Sequence, residues 1–357
     1  MTIGLNTGLA ILAFIVVIGP LIFLHELGHF LAARWNNIQV EEFGIGYPPR
    51  MLTLFERKGT KFTLNWLPMG GFMKPAGEDD PSVPGGLASA SRMARFQVLL
   101  AGPAANFLTA FVLLAGMFML GAPVEQPGAL VSQVEPDSPA SQAGLVEGDV
   151  ILKADNLAVD NYNVLISYVY EHRGEPITLT VRRDQAEVPV TLTPRTDYPE
   201  GQGPTGIQVA SIYQIQRFGP LGAVKMAAGE IGHLMNAFVE LPAQVIRGQM
   251  DARYLRPVSV IGISQLGGQA MEASISQNAL WPIVQLTAFI SLALAVTNLL
   301  PIPALDGGRL LFVVLEAIRG KRFKPEHEAM VHFIGFAVLI VAMFVFMYLD
   351  VVDPLVQ

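Results

Sequence analysis

Residues 9–33 are apolar almost without interruption, and the run is as long as a helix needs to be to cross a bilayer. Residues 98–120, 280–300 and 329–349 repeat the pattern, so the chain is expected to form four transmembrane helices. The first run lacks a basic start and is too long for the apolar core of a signal peptide, so it is expected to be retained. Between the first two runs the period changes. Polar and apolar residues alternate through Met51-Leu52-Thr53-Leu54-Phe55 and, across Lys58-Gly59, through Phe62-Thr63-Leu64-Asn65-Trp66, which predicts a β-hairpin. Pro68-Met69-Gly70-Gly71-Phe72-Met73 then reads as an apolar loop. After the second run, short β-branched stretches such as Ile177-Thr178-Leu179-Thr180-Val181 alternate with Gly and Pro turns, as a small sheet requires, and residues 161–171 are expected to be its helix. Residues 218–247 are helical in pattern but carry Lys225, Glu230, His233 and Glu240, which favours an interfacial amphipathic helix over a fifth span.

Composition sharpens the membrane reading. With 52% hydrophobic and only 15% charged residues, the chain holds more apolar sequence than a soluble core of its size needs. A net charge of −7 and the absence of a basic run or phosphate loop argue against nucleic acid. With no cysteine, any metal must be held by histidines and carboxylates. Lysines and arginines cluster between runs one and two and between runs three and four, while both termini lack them. That places the termini and the long region between runs two and three outside, and the basic links in the cytosol.

The candidate chemistry sits inside the first run. His25-Glu26-Leu27-Gly28-His29 puts two imidazoles four residues apart, about 40° around a helix, so both can grip one metal ion while Glu26 takes the proton of a metal-activated water. Ionisable groups at membrane depth are costly and usually functional. Asn298-Leu299-Leu300-Pro301-Ile302-Pro303-Ala304-Leu305-Asp306-Gly307-Gly308 closes the third run, where two prolines break the helix, and the topology lets Asp306 reach the histidines. Two histidines and a carboxylate with an open fourth position make a catalytic zinc arrangement. His327 and His332 are five apart, which turns them about 140° from one another on a helix, and read as an interfacial face.

With these two motifs the chain resembles the site-2 protease family of intramembrane zinc metalloproteases, most closely the bacterial regulator-of-sigma-E protease branch. The resemblance implies a polytopic α-helical membrane protein with four transmembrane helices, a membrane-associated β-hairpin and an inserted extracytoplasmic PDZ domain of α+β type. It implies residues 1–122 for the first two helices, 123–196 for a PDZ domain, 197–279 for a linker with the amphipathic helix, and 280–357 for the last two helices. It makes His25, His29 and Asp306 the ligands of one Zn2+ per chain, Glu26 the general base, and Asn298, Gly70, Gly71 and Phe72 candidate substrate-binding residues. Asn298 could instead join helices, and the hairpin could be a plain cytosolic one. Gly102-Pro103-Ala104-Ala105-Asn106-Phe107 matches a small-residue motif of the family and reads as close helix packing.

The expected activity is hydrolysis of single-span membrane proteins within or beside the bilayer, possible substrates being an anti-sigma factor or remnant signal peptides. The expected setting is the bacterial inner membrane, multi-pass, with the active site toward the cytosol. Expected partners are such substrates, membrane lipid, and a peptide or substrate ectodomain at the PDZ domain. A rival reading is a non-catalytic membrane-anchored PDZ adaptor that binds peptide termini.

Overall fold

The computed structural model describes residues 2–199 and 202–353. In chain order the elements are α1 (Thr2–Trp35), β1 (Val40–Arg57), β2 (Thr60–Pro75), α2 (Arg92–Leu120), β3 (Ala122–Val134), α3 (Pro139–Gln142), β4 (Val150–Ala154), β5 (Leu157–Ala158), α4 (Tyr162–Glu171), β6 (Ile177–Arg183), β7 (Ala186–Leu192), β8 (Ile207–Gln216), α5 (Pro220–Ile246), α6 (Val260–Ser276), α7 (Trp281–Leu299), α8 (Asp306–Arg319) and α9 (Pro325–Val352). The chain divides into two compact units, one of residues 1–120 with 218–357 and the other of residues 121–217.

In the first unit, four described helices are long and apolar enough to cross a membrane: Ile15–Trp35, Arg92–Leu120, Trp281–Leu299 and Pro325–Val352. They coincide with the four apolar runs. α5 is not among them, and its buried residues Ala223, Ala227 and Ile231 fall at four-residue intervals along one face. The packing of α1 on α2 depends on small side chains. A Cβ at Gly28 would lie 2.8 Å from the Cβ of Ala105 and would also collide with the carbonyl of Ala101, so the two backbones touch there. Val17, Ile18 and Leu21 of α1 meet Ile290 of α7 in one apolar cluster.

The hairpin is larger than the sequence suggests. Its turn at Lys58 and Gly59 has positive φ at both positions, as a tight two-residue hairpin requires. The first half of β1 lies between the two halves of β2: Phe43 faces Phe62 on one side and Met73 on the other, while Arg50 to Arg57 pair with the start of β2. The apolar loop expected at Pro68 to Met73 is therefore not all loop. From Gly71 to Pro75 it is a return strand against Val40–Ile45, and Gly70, at φ +83°, supports the bend that brings it back. Glu42 sits under this sheet, where it accepts hydrogen bonds from Arg50 and from the Thr63 hydroxyl at 2.8 Å. Arg50, assisted by Thr63, holds the Glu42 carboxyl below the usual range against the opposing effect of burial.

The second unit is a sheet of order β7-β6-β4-β3-β8, with β5 paired to β4. Its core gathers Val131, Ile151, Leu165, Ile177, Leu179 and Val181. The unit runs past residue 196, where the sequence reading ended the domain, because Ile207–Gln216 returns to pair with β3 as the edge strand β8. An isolated β-branched stretch after a long loop offers no local sign of which strand it will join. Asp149 is buried beneath the sheet. Burial pulls its carboxyl up, but Arg183 and the Val146 amide outweigh that and leave it below the usual range.

Candidate metal centre

Helical periodicity puts His25 and His29 on one side of α1, both nearly buried. The third group arrives from the broken end of α7. After Leu299 the chain turns through Pro301 and Pro303, with Ala304 at φ +76°, and restarts as α8 with Asp306 in its first turn. The two glycines that follow Asp306 are required by space. A Cβ at Gly307 would strike the carbonyls of Leu299 and Leu300, and one at Gly308 would lie 3.0 Å from the Cα of Pro303. The turn is also held from α9, where the His332 Nδ1 accepts the Ala304 amide at 2.9 Å. His332 of α9 is thus a support of this turn, a role its spacing in the sequence does not reveal.

Three polar atoms converge. His25 Nε2 lies 3.1 Å from Asp306 Oδ2 and 3.1 Å from His29 Nε2, and His29 Nε2 lies 3.3 Å from the same carboxylate oxygen. The two rings meet edge to face, with centroids 4.7 Å apart. Ligands about 2.0 to 2.1 Å from a tetrahedral ion stand roughly 3.3 Å from one another, so this triangle matches three corners of a zinc site with the fourth left open. The opposite wall is bare. A Cβ at Gly102 of α2 would lie 2.7 Å from His25 Nε2, and its overlap with His29 Nε2 would be closer still. Glycine at that point keeps free the space that an ion between the two nitrogens needs. The donor set and the space therefore both fit zinc.

Both imidazoles are held from behind by α2. His29 Nδ1 donates to the Val98 carbonyl at 2.7 Å, and His25 Nδ1 faces the amide of Asn106 at 3.2 Å. Val98, Gly102 and Asn106 follow one another at four-residue steps, so a single stripe of α2 serves both rings. The sequence reading took the stretch around Asn106 as packing. That holds for Gly102 and Ala105, but Asn106, only 1% exposed, turns its side chain to His25. An asparagine inside an apolar run was the only local sign.

Glu26, beside His25, makes no hydrogen bond or ion pair among the described residues. Gly71 lies against it: a Cβ there would be 3.2 Å from the Glu26 Cβ and 2.9 Å from the Phe23 Cα. The sheet thus brings Gly70 and Gly71 to α1 at the level of the histidine motif. Phe72 is turned elsewhere, onto the ring of Tyr47 at 5.7 Å. Asn298, on the last turn of α7, is half-buried and has no hydrogen-bond partner among the described residues, the three converging groups included.

The profile of peptidase family M50 matches residues 13–342. The zinc metalloprotease RasP of Geobacillus kaustophilus is 29% identical to this chain, covering 96% of it and 97% of the relative. A putative zinc metalloprotease of Clostridium acetobutylicum is 32% identical over 98% of each chain. The regulator of sigma-W protease RasP of Bacillus subtilis is 28% identical, covering 96% and 98% respectively.

Proposed function

The chain belongs to peptidase family M50 and is a zinc-dependent metalloprotease, and from that premise we propose that it cuts single-span membrane proteins within or beside the bilayer, using His25, His29 and Asp306 to hold one zinc ion. The observation that carries the assignment is the triangle of two imidazole nitrogens and one carboxylate oxygen with edges of 3.1 to 3.3 Å. When bound, zinc acidifies water and polarises a peptide carbonyl. Glu26 has no hydrogen-bond or ion-pair partner among the described residues, so its carboxylate is available to take a proton from the attacking water and pass it to the departing amide nitrogen as the C–N bond breaks. Gly70 and Gly71 present main chain beside Glu26, where an extended substrate could pair with the sheet edge. A helix hides its peptide carbonyls, so a substrate must unwind before hydrolysis, and strand addition would satisfy the groups it exposes. Asn298, an amide without a hydrogen-bond partner among the described residues, would help hold that substrate; Phe72, edge to face with Tyr47, would stiffen the strand that receives it.

The distribution of basic residues supports a multi-pass protein of the bacterial inner membrane, with both termini and the 121–217 unit outside and the metal centre toward the cytosol. In that unit, which we read as a PDZ domain, the edge strand β8 would receive an extended peptide or limit the size of the substrate ectodomain. An anti-sigma factor is the favoured substrate, in keeping with the name of the Bacillus subtilis relative, and remnant signal peptides are the second. Family membership removes the basis for a non-catalytic adaptor. Elemental analysis of detergent-purified protein tests the centre. One zinc per chain, lost in a His25→Ala, His29→Ala or Asp306→Ala variant, is expected; zinc that stays bound in all three variants would refute the ligand set.

A further inference from the structure

The two histidines are supported in the same way but by different chemistry. A carbonyl oxygen can only accept, so the Val98 carbonyl at 2.7 Å requires His29 to carry its proton on Nδ1. That leaves the lone pair of His29 Nε2 facing Asp306 and His25. His25 has the same orientation, with Nε2 toward the other two groups and Nδ1 toward α2. If its Nε2 is to offer a lone pair as well, its Nδ1 must also be an N–H, and an N–H needs an acceptor.

The group that faces it is the side-chain amide of Asn106, whose two ends differ only in which atom accepts and which donates. In the structure Nδ2 lies toward His25 Nδ1 at 3.2 Å, while Oδ1 is buried without a hydrogen-bond partner among the described residues. Two N–H groups pointing at one another repel, and a buried orphan acceptor is costly. Turning the amide over places Oδ1 against the Nδ1–H of His25, which removes the repulsion and gives the oxygen a donor, while the NH2 group takes the oxygen's former place. The backbone of Asn106 is meanwhile fixed from α7, because the fully buried Ser291 hydroxyl donates to its carbonyl at 2.8 Å.

We infer that Asn106 is a positioning residue for the metal centre: its amide oxygen accepts from His25 Nδ1–H and so holds the tautomer and ring orientation that present Nε2 to the ion. The inference rests on the metal-centre reading above. Outer partners of this kind raise ligand basicity and fix geometry, and their loss costs about 10- to 100-fold in metal affinity. Because the corresponding partner of His29 is a main-chain carbonyl, which no substitution removes, Asn106 is the point at which side-chain chemistry can tune the site.

The test is zinc affinity of the full-length protein in detergent, read by competition with a chromogenic chelator, together with the thermal midpoint of the zinc-free form. Asn106→Leu keeps the volume and removes the acceptor; it is expected to lose about 10- to 100-fold in affinity. Asn106→Asp keeps an acceptor in the same place and is expected to hold zinc at least as tightly as the parent. If Asn106→Leu does not fold, Asn106→Ala asks the same question. Parental affinity in the variant that lacks the acceptor would overturn the inference, as would equal losses in Asn106→Leu and Asn106→Asp, since packing alone would then account for both. A parent protein without zinc would instead sink the metal-centre reading.

Discussion

Gly102→Ala adds one methyl group at the wall of the metal centre. Its carbon would lie 2.6 Å from His29 Cε1 and 2.7 Å from His25 Nε2. Ordinary contact needs roughly 3.5 Å, so the His25 ring must give way by about 0.8 Å and the His29 ring, whose Nε2 is closer still, by more, unless the helix moves instead. Metal–ligand distances tolerate only about 0.2 Å, so the variant cannot keep both imidazoles in place around an ion. Zinc affinity should fall by more than the roughly 100-fold that bounds the loss of an outer support, and proteolysis should fall with it. Fold stability should fall far less, because the roughly 1 kcal/mol by which alanine favours a helix interior over glycine offsets part of an overpacking cost of about 1 to 3 kcal/mol. Gly116→Ala is the matched control on the same helix, since a Cβ there meets nothing within 4 Å. Chelator competition and thermal unfolding of both variants provide the assay. Parental zinc affinity in Gly102→Ala would refute the reasoning, because the gap at that wall would then have no bearing on the ion.

Three other outcomes are expected. Glu26→Gln should reduce cleavage of a membrane substrate by at least about 10²-fold while leaving bound zinc unchanged in elemental analysis; a parental rate would remove Glu26 as the base. Arg95 and Glu316 form a buried pair at 2.8 Å, so Arg95→Ala should destabilise the helical unit by about 3 to 5 kcal/mol, measured as a lower thermal midpoint in detergent, by leaving a buried carboxylate without its counter-charge. The depressed Asp149 carboxyl contributes stability that is complete above its unfolded value of about 3.9 and is lost as pH falls through the lower folded value. Protection factors for amide exchange at β4 and β6 in the full-length protein, with the intrinsic slowing of exchange in acid divided out, should therefore fall in acid, and Asp149→Asn should flatten that dependence.

The parts of the centre governed by local periodicity were legible in the sequence. Four-residue spacing is enough to align His25 with His29, and two prolines are enough to end α7 and free the chain that carries Asp306. What the sequence hid depends on contacts between distant segments. Gly70 and Gly71 carry little strand propensity, so their return into the sheet is decided by Val40–Ile45, some thirty residues earlier, as the register records. α8 was unmarked because Gly307 and Gly308 look like a turn, and only the backbone of Leu299 to Pro303 pressed against them explains their presence in a helix. Asn106 and His332 likewise acquire meaning only through His25 and Ala304.

α9 is tied down chiefly near its two ends. At one, His332 receives the Ala304 amide and Gly335 lies against Pro303; at the other, the buried Asp350 carboxylate binds Arg256 and the Ser259 amide. Between them Phe336, Val338, Val341 and Phe344 all stand more than half exposed. That middle stretch is answerable to oiliness and helicity alone, so leucine, isoleucine, valine and phenylalanine should be interchangeable there. The two moorings, by contrast, allow almost no spelling but their own.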